Sequence, residues 1–173
     1  MELIEYIASP GTGKTTAASL AWHKLKVDRH NVEFIREVPQ DFLLAGLGSF
    51  GNGNQALYLG TYLRKILDLR DMGYNTVICD SSMLTHLLYP DNVFSGYLLE
   101  EMVRSVYRHL HTVGIKVTIN VLPRDETREF LPLGRHVTQD ESDTIQRHVL
   151  MLVKNFKLSK DFQGVTIIET HEE

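Results

Sequence analysis

The sequence predicts an α/β protein in which helices cover both faces of a parallel sheet. Short apolar runs alternate with longer segments of helical periodicity along all 173 residues. Such alternation is typical of parallel strands joined by right-handed helical crossovers. The length suits one domain, residues 1–173, large enough to bury about two-thirds of the surface of its unfolded chain.

The first strand and the first helix flank a loop that contains glycine. The strand is predicted over residues 2–8, which are apolar enough for burial on both faces. The helix is predicted over residues 14–26, with Trp22 on its core-facing stripe. A second strand is predicted over residues 31–37, because a polar turn precedes it and Pro39 ends it.

The loop reads Ala8-Ser-Pro-Gly-Thr-Gly-Lys-Thr15 and has the spacing of a P-loop, or Walker A, motif. Backbone N–H groups of such a loop converge on phosphates, and the helix start adds the positive end of its dipole. Ala8 replaces the usual first glycine and tolerates a positive φ less well. Lys14 can reach the β- and γ-phosphates of ATP, and Thr15 can ligate Mg²⁺. The predicted nucleotide-binding residues are Pro10, Gly11, Thr12, Gly13, Lys14, Thr15 and Thr16.

A glycine-rich segment and a helix with aromatic residues follow the second strand. Residues 46–54 contain four glycines and form either a linker or a mobile loop that closes over a substrate. The helix that runs to Asp71 carries Gln55, Tyr58 and Tyr62 on one stripe. A glutamine with aromatic rings can hold a planar base, whereas the alternative is ordinary half-buried surface. Gln55 and Tyr58 are therefore candidate substrate-binding residues.

A third apolar run, residues 76–79, ends at Asp80. In P-loop proteins a strand beside the first one ends in an aspartate near the Mg²⁺, called Walker B, and Asp80 fits that place. The alternative is an aspartate that caps a helix or a turn. The remaining elements are a helix over 92–112, a strand over 115–121, a helix opened by the capping box Thr138 to Glu141, and a strand over 164–169.

The segment over residues 123–137 contains Arg124, Arg128 and Arg135. Arginine suits phosphate because its planar fork donates two hydrogen bonds and stays charged. The segment is therefore predicted to be a lid over the transferring phosphates. The alternative is a solvated loop whose arginines pair with neighbouring acidic residues.

The composition argues against several classes of partner. The net charge is −4 and no run of lysine or arginine occurs, which disfavours nucleic acid and anionic membrane surfaces. No apolar run is long enough to span a bilayer. The single cysteine, Cys79, fits a reducing cytoplasm. We expect a cytoplasmic protein with a small-molecule partner, and the sequence is compatible with a homodimer.

The Ala8–Thr15 loop, the strand ending at Asp80 and the arginine-bearing segment together resemble the P-loop kinases of nucleosides and nucleotides. The layout looks like the small phage or bacterial members, of the deoxynucleoside monophosphate kinase type. The resemblance implies a three-layer fold with five strands in the order 2-3-1-4-5 and an arginine-bearing lid. It also implies that Arg36 and Glu37, at the end of the second strand, face the acceptor.

By the same resemblance, Lys14, Asp80 and the three arginines of the lid would be catalytic, and Thr15 would bind Mg²⁺. Asp80 would bind Mg²⁺ through water, or accept a proton from an attacking hydroxyl. The expected activity is transfer of the γ-phosphate of ATP to a (deoxy)nucleoside monophosphate or a related nucleotide. One alternative is a P-loop kinase that acts on a modified base in DNA, which the acidic balance disfavours. Another is a nucleotide-dependent ATPase or switch module. Asp80 is followed by two serines, where several nucleoside kinases place arginine, so the acceptor stays open.

Overall fold

A computed structural model of the chain describes residues 1–38, 54–89, 91, 94–124, 138–159, 162 and 164–169. The strands in these ranges form one parallel sheet in the order β2-β3-β1-β4-β5. They are β1 (Glu2–Ile7), β2 (Val32–Ile35), β3 (Thr76–Cys79), β4 (Lys116–Val121) and β5 (Val165–Glu169). The predicted parallel sheet of five strands and its order are confirmed.

Helices connect the strands and cover both faces of the sheet. They are α1 (Lys14–Val27), α2 (Gln55–Asp71), a 3-10 helix (Met83–Leu88), α3 (Gly96–Thr112) and α4 (Gln139–Leu158). Helix α1 packs on one face, whereas α2, α3 and α4 pack on the other. The connection from β1 to β2 crosses the sheet in one direction and the later connections cross in the other, so right-handed crossovers place their helices on opposite faces. Among the described residues, no helix is both long enough and apolar enough to cross a bilayer.

The central strand β1 divides the core because its side chains alternate between the two faces. Leu3 and Ile7 belong to the larger cluster beneath α2, α3 and α4, and Tyr6 belongs to the smaller cluster beneath α1. Glu5 lies between Leu3 and Ile7 and is fully buried on the larger-cluster side. A carboxyl group therefore sits inside the main core, and its partners are described with the site.

The region after β3 differs from the sequence-based expectation. No element is predicted there, yet the 3-10 helix begins directly after Ser82, whose hydroxyl accepts a hydrogen bond from the backbone N–H of Leu84. Such side-chain bonds to backbone compete with continuation of the strand. The capping box of α4 is confirmed, since the side chains of Thr138 and Glu141 each bond to the backbone of the other residue. The short helix packs against α2, α3 and α4.

Candidate functional site

The loop between β1 and α1 forms a cradle at the carboxyl edge of the sheet. Gly11 and Gly13 have φ values of 91° and 93°, a conformation that strains any residue with a Cβ. Ala8 does not adopt a positive φ, so replacing the usual first glycine costs no backbone strain here. Gly13 is the N-cap of α1 and offers no side-chain cap. The first N–H groups of α1 are therefore not covered by a capping side chain.

Lys14, Thr15 and Asp80 come together at this cradle. Nζ of Lys14 donates hydrogen bonds to the carbonyl oxygens of Ala8 and Ser9, at 2.9 and 3.1 Å. Oγ1 of Thr15 donates to Oδ2 of Asp80 at 3.0 Å. Strand β3 is the direct neighbour of β1, which brings the residue just beyond β3 to the loop just beyond β1. Ligands of open parallel sheets bind at this edge.

The carboxyl group of Asp80 is suited to a hard cation. Burial raises its pKa, while the hydrogen bond from Thr15, the nearby backbone of Glu37 and the charge of Lys14 oppose the rise. Oδ1 of Asp80 is buried and accepts no hydrogen bond from the residues that the structure describes. A buried carboxylate oxygen that no described residue bonds, next to a threonine hydroxyl, fits Mg²⁺, which takes oxygen ligands.

No group of three or more histidine, cysteine or acidic side chains that could hold a metal occurs within the described ranges. Mg²⁺ is commonly bound by one or two protein oxygens together with water and substrate phosphates. Thr15 and Asp80 are the residues that would contribute from the protein.

Arg36 and Glu37 follow β2 at the same edge. Burial raises the pKa of Glu37, the charge of Lys14 lowers it, and the charge of Asp80 raises it. Arg36 is exposed, and its charge lowers the pKa of Asp80. The charge of Lys14 thus acts on both carboxyl groups, and the charge of Arg36 acts on Asp80. Carboxyl groups with pKa values shifted by burial and by nearby charges are typical of functional sites.

Gln55 and Tyr58 lie in the interior and not on a surface stripe. They are 3% and 1% exposed, and Oε1 of Gln55 is 3.0 Å from Nδ1 of His86. Burial lowers the pKa of His86 to about 4, so the ring is neutral at pH 7 and its Nδ1–H can donate to Gln55. Their contact with a substrate base stays a prediction.

Arg124 is held by helix α4. Its Nη1 donates to Oγ of Ser142 at 2.9 Å, and its guanidinium forms an ion pair with Asp143. Arg128 and Arg135 lie outside the described residues, as do the rest of the predicted lid from residue 125 and residues 46–53 of the glycine-rich segment. Of the three predicted arginines, the structure therefore describes Arg124, and the guanidinium of Arg124 is bonded to side chains of helix α4.

Sequence reasoning missed the buried acid Glu5. Its Oε2 accepts hydrogen bonds from Ser82 Oγ at 2.8 Å and from the Tyr107 hydroxyl at 2.7 Å. Its Oε1 is buried without a partner among the described residues, and burial raises the pKa of Glu5 to about 7. The available signal was a carboxylate inside a strand otherwise apolar enough to be buried on both faces.

Sequence reasoning also missed two polar residues of α4 that contact the loop, Ser142 and Gln146. Both are buried, and they occupy the same stripe as Val149 and Val153. The sequence signal is their spacing of four residues in line with that apolar stripe, which places them on the core-facing side of the helix. Polar residues on such a stripe need hydrogen-bond partners, and the loop supplies them.

No protein-family model matches this sequence, and a search among curated proteins finds no match. The fold by itself does not decide the activity, because one fold supports many functions. Function is therefore inferred from the side chains at the site.

Proposed function

We propose that this chain is an ATP-dependent phosphotransferase that moves the γ-phosphate to a (deoxy)nucleoside monophosphate or a related nucleotide. The observation that supports it best is the arrangement of Lys14, Thr15 and Asp80 around a loop whose two glycines adopt positive φ values. A lysine, a hydroxyl and a carboxylate at a helix start are the groups that bind a triphosphate with magnesium.

On the donor side, each residue has a distinct task. Lys14 exchanges the carbonyl oxygens of Ala8 and Ser9 for phosphate oxygens and neutralises part of their charge. Thr15 and Asp80 would hold Mg²⁺ through their side-chain oxygen atoms. When bound, Mg²⁺ supplies further neutralisation of the phosphate charge.

On the acceptor side, Arg36 and Glu37 stand at the same edge as the phosphate loop. Arg36 can bind an acceptor phosphate through its planar fork. A monophosphate attacks through an oxygen that is already largely ionised near neutral pH, since its second pKa is about 6. A hydroxyl acceptor would instead need a general base within hydrogen-bond reach. A phosphate acceptor therefore makes the smaller demand on the side chains present.

Release of ADP in a coupled assay tests the proposal. Purified protein is supplied with Mg²⁺ and ATP, and with a panel of nucleosides and their monophosphates. We expect one or more monophosphates to raise the rate well above the rate with water alone, and Lys14→Ala to abolish the increase. A rate that no acceptor raises would reject the transferase proposal, and steady release without any acceptor would instead indicate an ATPase.

A further inference from the structure

The first turns of α4 hold the loop just before the phosphate cradle. The backbone N–H of Ser9 donates to Oε1 of Gln146 at 2.8 Å in the buried interior. The hydroxyl of Ser142 donates to the carbonyl oxygen of Pro10 at 2.6 Å. Residues four apart on a helix lie one above the other, so two side chains of one helix face fix two consecutive loop residues.

Gln146 uses both ends of its side-chain amide. Its Nε2 donates to the carbonyl oxygen of Leu122 at 3.1 Å, and the backbone N–H of Leu122 donates to the carbonyl oxygen of Ile7 at 3.1 Å. The side chain therefore joins the chain just beyond β4 to the chain just beyond β1. A neutral amide provides the required donor and acceptor on one side chain, and Gln146 is only 7% exposed.

Further contacts fix the first turn of helix α4 itself. The capping box of Thr138 and Glu141 determines where α4 begins. Arg124 donates to the hydroxyl of Ser142, which leaves that hydroxyl's own proton for Pro10, and Arg124 also pairs with Asp143. The loop therefore contacts a helix whose starting residue is fixed by its own capping box.

Ser9 and Pro10 come before the residues whose backbone N–H groups would bind a phosphate. The N–H of Ser9 is already bonded to Gln146, and Pro10 has no N–H. Backbone donors for a phosphate therefore come from Gly11 onward. The carbonyl oxygen of Ser9 also accepts from Lys14 Nζ and from Thr12 Oγ1, at 3.1 and 3.0 Å. The position of Ser9 therefore affects both the backbone of the loop and the side chain of Lys14.

We propose that Gln146 is a positioning residue of the nucleotide site. By holding Ser9, it keeps the backbone donors from Gly11 onward and the Lys14 side chain arranged for a phosphate chain before the nucleotide arrives. This inference rests on the proposed binding of a nucleotide. It does not depend on which acceptor is used, or on transfer taking place.

Two substitutions of the same kind on one helix test it. Gln146→Met keeps the length and removes both hydrogen bonds, whereas Gln139→Met changes an exposed residue of α4. The readouts are the dissociation constant of Mg²⁺–ADP by calorimetry and the exchange rate of the Ser9 amide proton by NMR without nucleotide. We expect Gln146→Met to weaken binding about tenfold, as for the loss of a buried hydrogen bond, and to accelerate exchange. Gln139→Met should change neither.

A third variant separates positioning from general loss of structure. Gln146→Glu, when ionised, can accept from Ser9 but cannot donate to Leu122. When protonated, it regains a donor. We therefore expect its affinity for Mg²⁺–ADP, relative to the wild type at the same pH, to recover between pH 8 and pH 5.5, and no such recovery for Gln146→Met. If Gln146→Met does not unfold cooperatively, the affinity of Gln146→Glu relative to the wild type at pH 8 and at pH 5.5 is the deciding measurement.

Wild-type affinity retained in Gln146→Met, or a relative affinity of Gln146→Glu that does not change with pH, would overturn the positioning role. Nucleotide binding by the wild type without transfer to any acceptor would reject the transferase proposal and leave this test intact. Absence of nucleotide binding by the wild type would overturn both.

Discussion

Oγ1 of Thr15 donates a hydrogen bond of 3.0 Å to Oδ2 of Asp80, although 65 residues separate them in the chain. The pairing of β1 with β3 produces this contact, because parallel strands place the residues that follow them at one edge. Asp80 keeps a second oxygen, Oδ1, buried without a partner in the described part of the chain. A hydroxyl and a carboxylate thus meet beside the loop, and under the proposed function these two groups would hold Mg²⁺.

Substitution of Thr15 should change the magnesium requirement. Thr15→Val keeps the shape and removes the hydroxyl, so we expect the Mg²⁺ concentration for half-maximal turnover to rise by about tenfold to a hundredfold. Thr15→Ser keeps the hydroxyl and should stay close to the wild type. Titration of turnover with Mg²⁺ measures both, and an unchanged requirement in Thr15→Val would remove Thr15 from the metal site.

Loss of Lys14 should abolish turnover and preserve the fold. Its side chain is half-buried, and the hydrogen bonds described for its ammonium are to the carbonyl oxygens of Ala8 and Ser9 in the loop. We expect Lys14→Ala to lower the rate about a thousandfold or more, since the lysine neutralises charge on the transferring group. Lys24→Ala, an exposed lysine of the same helix, is the control. Non-cooperative thermal unfolding of Lys14→Ala would contradict the assignment.

Glu5 should make stability depend on pH. Its pKa is raised from 4.5 to about 7 because the group is buried. Below pH 4.5 both the folded and the unfolded state hold the proton. Between pH 4.5 and 7 the unfolded state releases it while the folded state keeps it, so the contribution of Glu5 to the free energy of unfolding falls by up to about 3 kcal/mol as the pH rises. His86 acts in the opposite direction between about pH 4 and 6.5, because burial lowers its pKa from 6.5 to about 4. Above pH 7 this contribution stays constant.

Urea unfolding at several pH values measures this effect. We expect the free energy of unfolding of Glu5→Gln, relative to the wild type at the same pH, to rise between pH 4.5 and 7, and that of Glu2→Gln, at an exposed position of the same strand, to follow the wild type. Tyr62, Cys79 and Tyr107 also face Glu5, but their pKa values are raised well above the ordinary ones by burial. They remain neutral in this range, so an unchanged pH slope in Glu5→Gln would show that Glu5 is not the titrating group.

Two glycines should respond oppositely to alanine. Gly164 has a φ of +90°, and a Cβ there would lie 2.2 Å from Nδ1 of His111, so we expect Gly164→Ala to destabilise the fold by about 1–3 kcal/mol. Gly60 lies within α2, and no atom of the described residues outside its own helical turn comes within 4 Å of the place that a Cβ would take. Gly60→Ala should therefore stabilise the fold by about 0.5–1 kcal/mol. Thermal unfolding of both variants checks the signs. Equal changes in stability for the two variants would mean that the backbone at Gly164 accommodates alanine without strain.

The alternation of strands and helices could be predicted from sequence because local patterns determine it, whereas the strand order was implied by the resemblance of the layout. The apolar run before the loop, the capping box at Thr138 and the glycines of the loop each carry a local signal. The burial of Gln55 and Tyr58 could not be predicted in this way, since it depends on how α2 packs against the 3-10 helix. The bond from Ser9 to Gln146 joins residues 137 positions apart, and no local pattern indicates such a partner.

Glu5 shows a second kind of limit. Its strand is apolar enough to be recognised, but the pattern does not say which side chains will meet a buried carboxyl group. Ser82 and Tyr107 come from two other elements, and only the packing of the sheet against α3 brings them together. Site residues that the strand order brings together could be predicted, whereas side-chain partners across the core could not.

Calorimetry with Mg²⁺ and ATP tests most directly whether a triphosphate is bound by the loop. We expect saturable heat with a dissociation constant below the millimolar range for the wild type, and a much weaker signal for Lys14→Ala. Absence of heat with ATP and with GTP at millimolar concentration, from protein that unfolds cooperatively, would show that the loop does not bind a triphosphate.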